Sequence, residues 1–154
     1  MYSLCSRLAC DDSDIIINAQ DDYYPPYGWD EIILKEFEGF DGAVCFSDGI
    51  QVYPNPVCTM PCLTFSALKK LNRIIFHPEY RHLYCDNEYY ANVKELGILK
   101  DVRQTNQTVF EHRHYSVGKR KADAIDERIN SEEAIDRATF ERRMKLPLLE
   151  RLKV

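Results

Sequence analysis

Three short polar clusters carry the residue types from which a catalytic site can be built. Asp21 and Asp22 stand side by side just after the run Ile15-Ile16-Ile17. Adjacent carboxylates repel unless water, a basic side chain or a cation offsets them. Hard oxygen ligands of this kind suit Mg²⁺ or Mn²⁺, although a solvated acidic turn has the same sequence. Asp86-Asn87-Glu88 follows Tyr84-Cys85 and precedes Tyr89-Tyr90. A carboxylate at a helix start caps backbone N–H groups and can also accept a proton from a bound hydroxyl. Glu111-His112-Arg113-His114 is the third cluster. Residues two apart on a strand share a face, so His112 and His114 can hold a metal, or one of them can complete a site with a distant carboxylate. A surface His-x-His is the plain alternative. Zinc held by these histidines with Cys58 and Cys62 is disfavoured, because that cysteine spacing is loose and crosses Pro61.

The elements that must position these clusters can be read from periodicity and turn chemistry. The isoleucine run within Asp14–Gln20 predicts a buried parallel strand. Pro25-Pro26 then forces an extended turn. Trp29, Ile32, Ile33 and Phe37 make one apolar face of a helix over Gly28–Glu38, with Asp30 and Glu31 in its first turn and Gly39 at its end. Asp48-Gly49 lies between Ala43–Ser47 and Ile50–Tyr53 and predicts a hairpin. The segment from Pro54 to Pro61 reads as a loop, Ser66–Leu71 as a short helix and Arg73–Phe76 as a short strand. A helix is expected over Asp86–Leu96, with Asp86 at its N-cap and Gly97 as its stop. Thr108–His112 reads as a strand. Asn130 with Glu133 suggests a capping box for a last helix running to about Lys145, before Pro147. The expected class is α/β with a sheet of mixed direction.

Composition narrows the field. The chain has 154 residues, 20 Lys+Arg against 25 Asp+Glu and a net charge of −5. This charge argues against nucleic-acid binding, which needs a cationic surface. No apolar run reaches the ~20 residues of a transmembrane helix, and Met1–Cys10 lacks the pattern of a signal peptide. The six cysteines, Cys5, Cys10, Cys45, Cys58, Cys62 and Cys85, therefore read as reduced thiols in a cytoplasmic protein.

The clusters also come in a recognisable order. The stretch from Ile15 through Asp21-Asp22, Pro25-Pro26 and Gly28-Trp29-Asp30 resembles the metal-binding segment of family 2-type glycosyltransferases with the GT-A fold. His77-Pro78-Glu79-Tyr80 and Leu83-Tyr84-Cys85-Asp86-Asn87-Glu88-Tyr89 resemble the family's catalytic-base segment. Val109-Phe110-Glu111-His112-Arg113-His114-Tyr115, with Gly118-Lys119 and Asp123, resembles its late histidine strand. The likeness spans roughly residues 10 to 145. It implies an incomplete GT-A (Rossmann-like) fold, with a metal and acceptor portion over 1–118 and a helical extension over 119–154.

By this resemblance Asp22 is the last acid of an Asp-x-Asp motif and holds Mn²⁺ or Mg²⁺ on a nucleotide diphosphate. Asp21 is the middle residue, and Gln20 stands where the first acid is expected. Asp86 corresponds to the base that deprotonates the acceptor. His114, with His112 as the alternative, corresponds to the third metal ligand. Trp29, Tyr84 and Glu88 fall on the sugar and acceptor side. The implied reaction moves a sugar from a nucleotide-sugar donor to the hydroxyl of a glycan or other acceptor, with inversion. The family's N-terminal nucleotide-binding βαβ half has no counterpart in this sequence, so the expectation is a truncated form, a separate partner chain that carries that half, or a protein that has lost catalysis, and the exposed sheet edge this leaves predicts a homo-oligomer. A non-catalytic oligomerising or glycan-binding module and a metal-dependent phosphoester hydrolase are the competing readings.

Overall fold

The computed structural model describes residues 13–154; Cys5, Cys10 and the segment tested for a signal peptide lie outside them. The described chain is a mixed α/β structure. Its main sheet has four strands in the order β1-β4-β3-β5, where β1 is Ile15–Ile17, β3 is Ala43–Cys45, β4 is Cys62–Thr64 and β5 is Leu99–Asp101. β4 runs antiparallel to both β1 and β3, while β5 runs parallel to β3. A two-stranded ribbon, β2 (Tyr23–Tyr24) with β6 (Glu111–His112), lies outside this sheet.

Alternation along the strands divides the core in two. Ile16, Ala43, Cys45 and Leu63 face α2 (Phe65–Lys70) and α3 (Cys85–Glu95) through Leu68, Tyr89 and Val93. Val44 and Cys62 face the other way, against Ile33 and Phe37 of α1 (Trp29–Phe37) and against Phe46, Val102 and Phe110. The sheet is thus covered on both sides. This explains why β1 is an unbroken isoleucine run: Ile16 packs in the first cluster while Ile15 and Ile17 pack against the second.

Several expectations need correction. β1 is antiparallel, not parallel, because two-faced burial selects the residue types of a strand but not its direction. Asp48-Gly49 does not close a hairpin. Asp48 Oδ1 takes the backbone N–H groups of Ile50 at 2.9 Å and Gln51 at 2.6 Å, so the side chain substitutes for a strand partner. The antiparallel partner of β3 arrives only at β4. Residues 73–76 form turns rather than a strand. The last long helix, α4 (Ala124–Arg143), begins earlier than expected. Its capping box is Asp123 with Asp126, not Asn130 with Glu133. A single turn, α5 (Leu148–Arg151), follows.

The segment 119–154 is tied tightly to the rest. Arg143, 2% exposed, forks onto Glu88 through Nε at 2.8 Å and Nη2 at 2.7 Å, and reaches Glu79 through Nη1 at 2.9 Å. Arg143 Nη2 also donates to the Arg151 carbonyl, and Asn72 Nδ2 to the Leu152 carbonyl. Among the described residues no helix is long and apolar enough to cross a membrane.

Candidate active site

The ribbon brings the first and third clusters together. Tyr23 pairs with His112 in register, and their rings stack at 4.5 Å with 18° between planes. This places Asp22, one residue before Tyr23, beside the imidazole: His112 Nε2 lies 3.2 Å from Asp22 Oδ2, across 90 positions of sequence. The Arg113 N–H donates to the Asp22 carbonyl at 2.9 Å, which fixes the backbone of the same pair. Asp22 Oδ1 is buried and lacks a hydrogen-bond partner.

A residue not singled out from sequence sits behind His112. Asp48 is 2% exposed, and its Oδ2 lies 3.4 Å from His112 Nδ1 and accepts the Thr59 hydroxyl at 2.9 Å. Burial alone would raise this carboxyl. The hydrogen bonds from His112, the Gln51 and Ile50 amides and Thr59 outweigh it and hold the group down at about 2. The loop that supplies Thr59 is itself pinned. Arg103 forks onto Asp101 and donates to the carbonyls of Gln51, Asn55 and Val57. Such a fork, with its planar donors fully engaged, rigidifies the loop it touches.

Asp86 lies in the first turn of α3, one residue inside the helix rather than at the N-cap, which is Tyr84. Its Oδ1 accepts the Asn87 N–H at 2.9 Å. Burial, reinforced by the charge of Asp48, pushes the Asp86 carboxyl up to about 6, while the Asn87 amide and nearby His112 pull the other way. A carboxylate in that range accepts protons far more readily than an ordinary aspartate.

The turn into α3 is set from a distance. Tyr84 adopts φ +65°, a left-handed conformation that costs a non-glycine residue about 1–3 kcal/mol unless its surroundings enforce it. α4 does so. Asp136, 1% exposed, accepts the consecutive N–H groups of Arg81, His82 and Leu83 at 2.8, 2.9 and 2.7 Å. The Tyr84 ring stacks on Phe140, and its hydroxyl meets Glu133 and Arg137.

A cleft of about 600 Å³ opens beside Asp22. Asp21, Asp22 and His114 line it, together with Tyr24, Tyr115, His82 and the cations Arg113, Lys119, Arg120 and Lys121. Arg113 lies 3.6 Å over the Tyr24 ring, and Arg120 is forked onto Asp126. Of the two histidines, His112 touches Asp22, whereas His114 sits on the cleft wall with Nδ1 2.7 Å from the Ser116 hydroxyl and its ring 5.1 Å from that of His112. Burial and the neighbouring His112 lower the His114 pKa.

The structure does not bring every sequence-derived candidate to this place. Glu88, expected on the acceptor side, is 2% exposed and has both oxygens engaged, by Arg143 and by the Tyr80 hydroxyl at 2.6 Å. Trp29 opens α1, 40% exposed, and does not line the cleft; Tyr24 does. Tyr84 is engaged by α4. Asp48, Thr59, Arg103 and Asp136 were not legible as site residues, because each is a polar residue of a turn, strand end or helix whose partners lie far off in sequence.

The Asp22 carboxylate is of the type that suits Mn²⁺ or Mg²⁺, whereas the His112 imidazole is a ligand type that softer divalent ions favour, and its Nε2 already faces Asp22. No group of three or more His, Cys, Asp or Glu side chains able to hold a metal gathers among the described residues. No protein family model matches this chain, and neither do any curated proteins or solved structures.

Proposed function

We propose that this chain forms the metal and acceptor side of a GT-A-type glycosyltransferase, moving a sugar from a nucleotide-sugar donor to an acceptor hydroxyl. One observation carries the reading. Asp22 and His112, far apart in the chain, meet beside a cleft lined by both acids and cations, and Asp86 lies near enough to His112 and Asp48 for their charges to act on it.

In this reading the chemistry divides among the chain's own groups. Asp22 and His112 hold the ion. When bound, a divalent ion offsets the negative charge that grows on a departing diphosphate. Arg113, Lys119 and Lys121 favour an anionic donor in the cleft. Asp86 takes the proton of the attacking hydroxyl, a role contributing about 10²- to 10⁴-fold in rate. Attack from the face opposite the leaving group inverts the anomeric centre, as the resemblance implies. His112 is preferred to His114 as the ligand because only His112 reaches Asp22.

The test is calorimetry with Mn²⁺ and nucleoside diphosphates, followed by release of nucleotide from uridine, guanosine and thymidine diphospho-sugars. Metal-dependent nucleotide binding with turnover is expected; absence of both removes the transferase reading. A non-catalytic oligomerising or glycan-binding module is the second reading, favoured by Gln20 in the first acid position. Its sign is a stable assembly in light scattering that binds glycan without turnover.

A further inference from the structure

Charge along the cleft is unevenly spent. Asp21, Asp22, Asp123 and Asp126 line it. All but Asp21 are engaged: Asp22 faces His112, Asp123 caps the amides of Ile125 and Asp126, and Asp126 takes the fork of Arg120. Among the lining cations Arg120 is thereby committed, whereas Lys121 has no acidic partner among the described residues. Arg113 and Lys119 share a single acid.

That acid is Glu111, which pairs with Tyr24 across the ribbon and does not itself line the cleft. Its Oε2 accepts Arg113 Nε and Nη2, both at 3.2 Å, and its Oε1 accepts Lys119 Nζ at 3.1 Å. Hydrogen bonds from Lys119 and Arg113 hold the carboxyl below its ordinary range, so it is ionised at neutral pH. Two cations thus converge on one carboxylate as they would on an oxyanion, and the Tyr24 ring under Arg113 steadies the guanidinium. These side chains are 38% to 46% exposed. Ion pairs so open to water hold weakly. A phosphate group, with about −1.5 to −2 charge at pH 7, out-competes a carboxylate for them.

Resting on the reading above that a phosphorylated donor enters this cleft, we infer that Arg113, Lys119 and Lys121 bind its phosphate or diphosphate directly, and that Glu111 is a built-in competitor for Arg113 and Lys119. This contact needs no metal ion. Glu111 lies outside the lining, so the ligand takes over its cations without having to take its place.

Calorimetry of the full chain with pyrophosphate in metal-free, low-salt buffer tests it, with circular dichroism verifying each fold. Wild type should bind, and Glu111→Gln should bind ~3- to 10-fold more tightly, because an opposing charge beside both cations is gone. Lys119→Gln should weaken binding by a similar factor. Glu38→Gln makes the same change of charge at an exposed site outside the lining and should stay within twofold of wild type. Sedimentation with phosphatidylcholine vesicles carrying phosphatidic acid tells the source of the phosphate: capture assigns a lipid headgroup, and its absence a soluble ligand. The inference is overturned if Glu111→Gln binds pyrophosphate no more tightly than wild type, if Glu38→Gln matches its gain, or if neither wild type nor Glu111→Gln binds at millimolar concentration. In each of these cases the transferase reading survives, since Mn²⁺-dependent nucleotide binding and turnover decide it separately.

Discussion

Two clusters of buried charge in this protein are built on opposite plans. Around Arg143 every strong group is matched: the guanidinium forks onto Glu88 and reaches Glu79, and Tyr80 closes the remaining side of Glu88. Around His112 acids outnumber bases. Asp22, Asp48 and Asp86 act on a single imidazole, one carboxylate is held at about 2 and another lifted to about 6, and an oxygen of the third has no partner. The first cluster fastens the last helices to the body of the protein. The second is left with surplus negative charge beside an open cleft. Balanced charge marks the scaffold here, and unbalanced charge marks the surroundings of the cleft.

The contrast can be broken on either side. The largest change in stability is expected from Arg143→Ala, which leaves Glu88 buried without its counter-charge and should cost ~3–5 kcal/mol in denaturant unfolding; a loss below ~1 kcal/mol would show that the cluster is no scaffold. On the other side, Asp86→Asn should lower sugar transfer by ~10²- to 10⁴-fold while nucleotide and Mn²⁺ binding persist. Transfer at the wild-type rate would remove Asp86 from the chemistry. In wild type the transfer rate should rise with pH through about 6, the range where the Asp86 carboxyl ionises.

The same two acids should pull stability in opposite directions with pH. Asp48 titrates near 2 in the folded state, below its ordinary value. Its contribution is therefore full above about pH 4 and is lost as pH falls toward 2, a change of ~2 kcal/mol. Asp48→Asn should flatten that acid limb in pH-dependent unfolding. Asp86 titrates above its ordinary value, so its contribution is present at low pH and lost as pH rises through about 6. Asp86→Asn should accordingly stabilise the protein by ~1–3 kcal/mol at pH 7.5 while costing activity. The smallest effect is expected at the start of α4, on the cleft wall: Asp123→Ala, which removes the cap on the Ile125 and Asp126 amides, should cost ~1 kcal/mol in thermal unfolding.

Local signals were readable from sequence where one element contains its own cause. The faces of α1 and α3, the stop at Gly97 and the two-sided burial of β1 follow from spacing alone. The pairing of Asp22 with His112 is not a local signal: a strand's alternation puts His112 and His114 on one face without saying which of them the neighbouring strand meets, and the precedence of His114 rests on the family resemblance alone. Asp48 was hidden for a different reason. Asp-Gly is a strong turn signal, and nothing nearby distinguishes a turn that joins two strands from one whose aspartate is recruited by Thr59 and His112. Direction of pairing was equally opaque, since antiparallel and parallel burial select the same residues for β1.

The left-handed turn at Tyr84 is held in place by Asp136, Glu133 and Phe140, all from a helix some fifty positions later in the chain. During synthesis the ribbon that joins Asp22 to His112 can form before that helix has emerged. The approach to Asp86 cannot take its final shape until it has. The Asp22–His112 pair can therefore be assembled first, and the turn that leads to Asp86 is completed last.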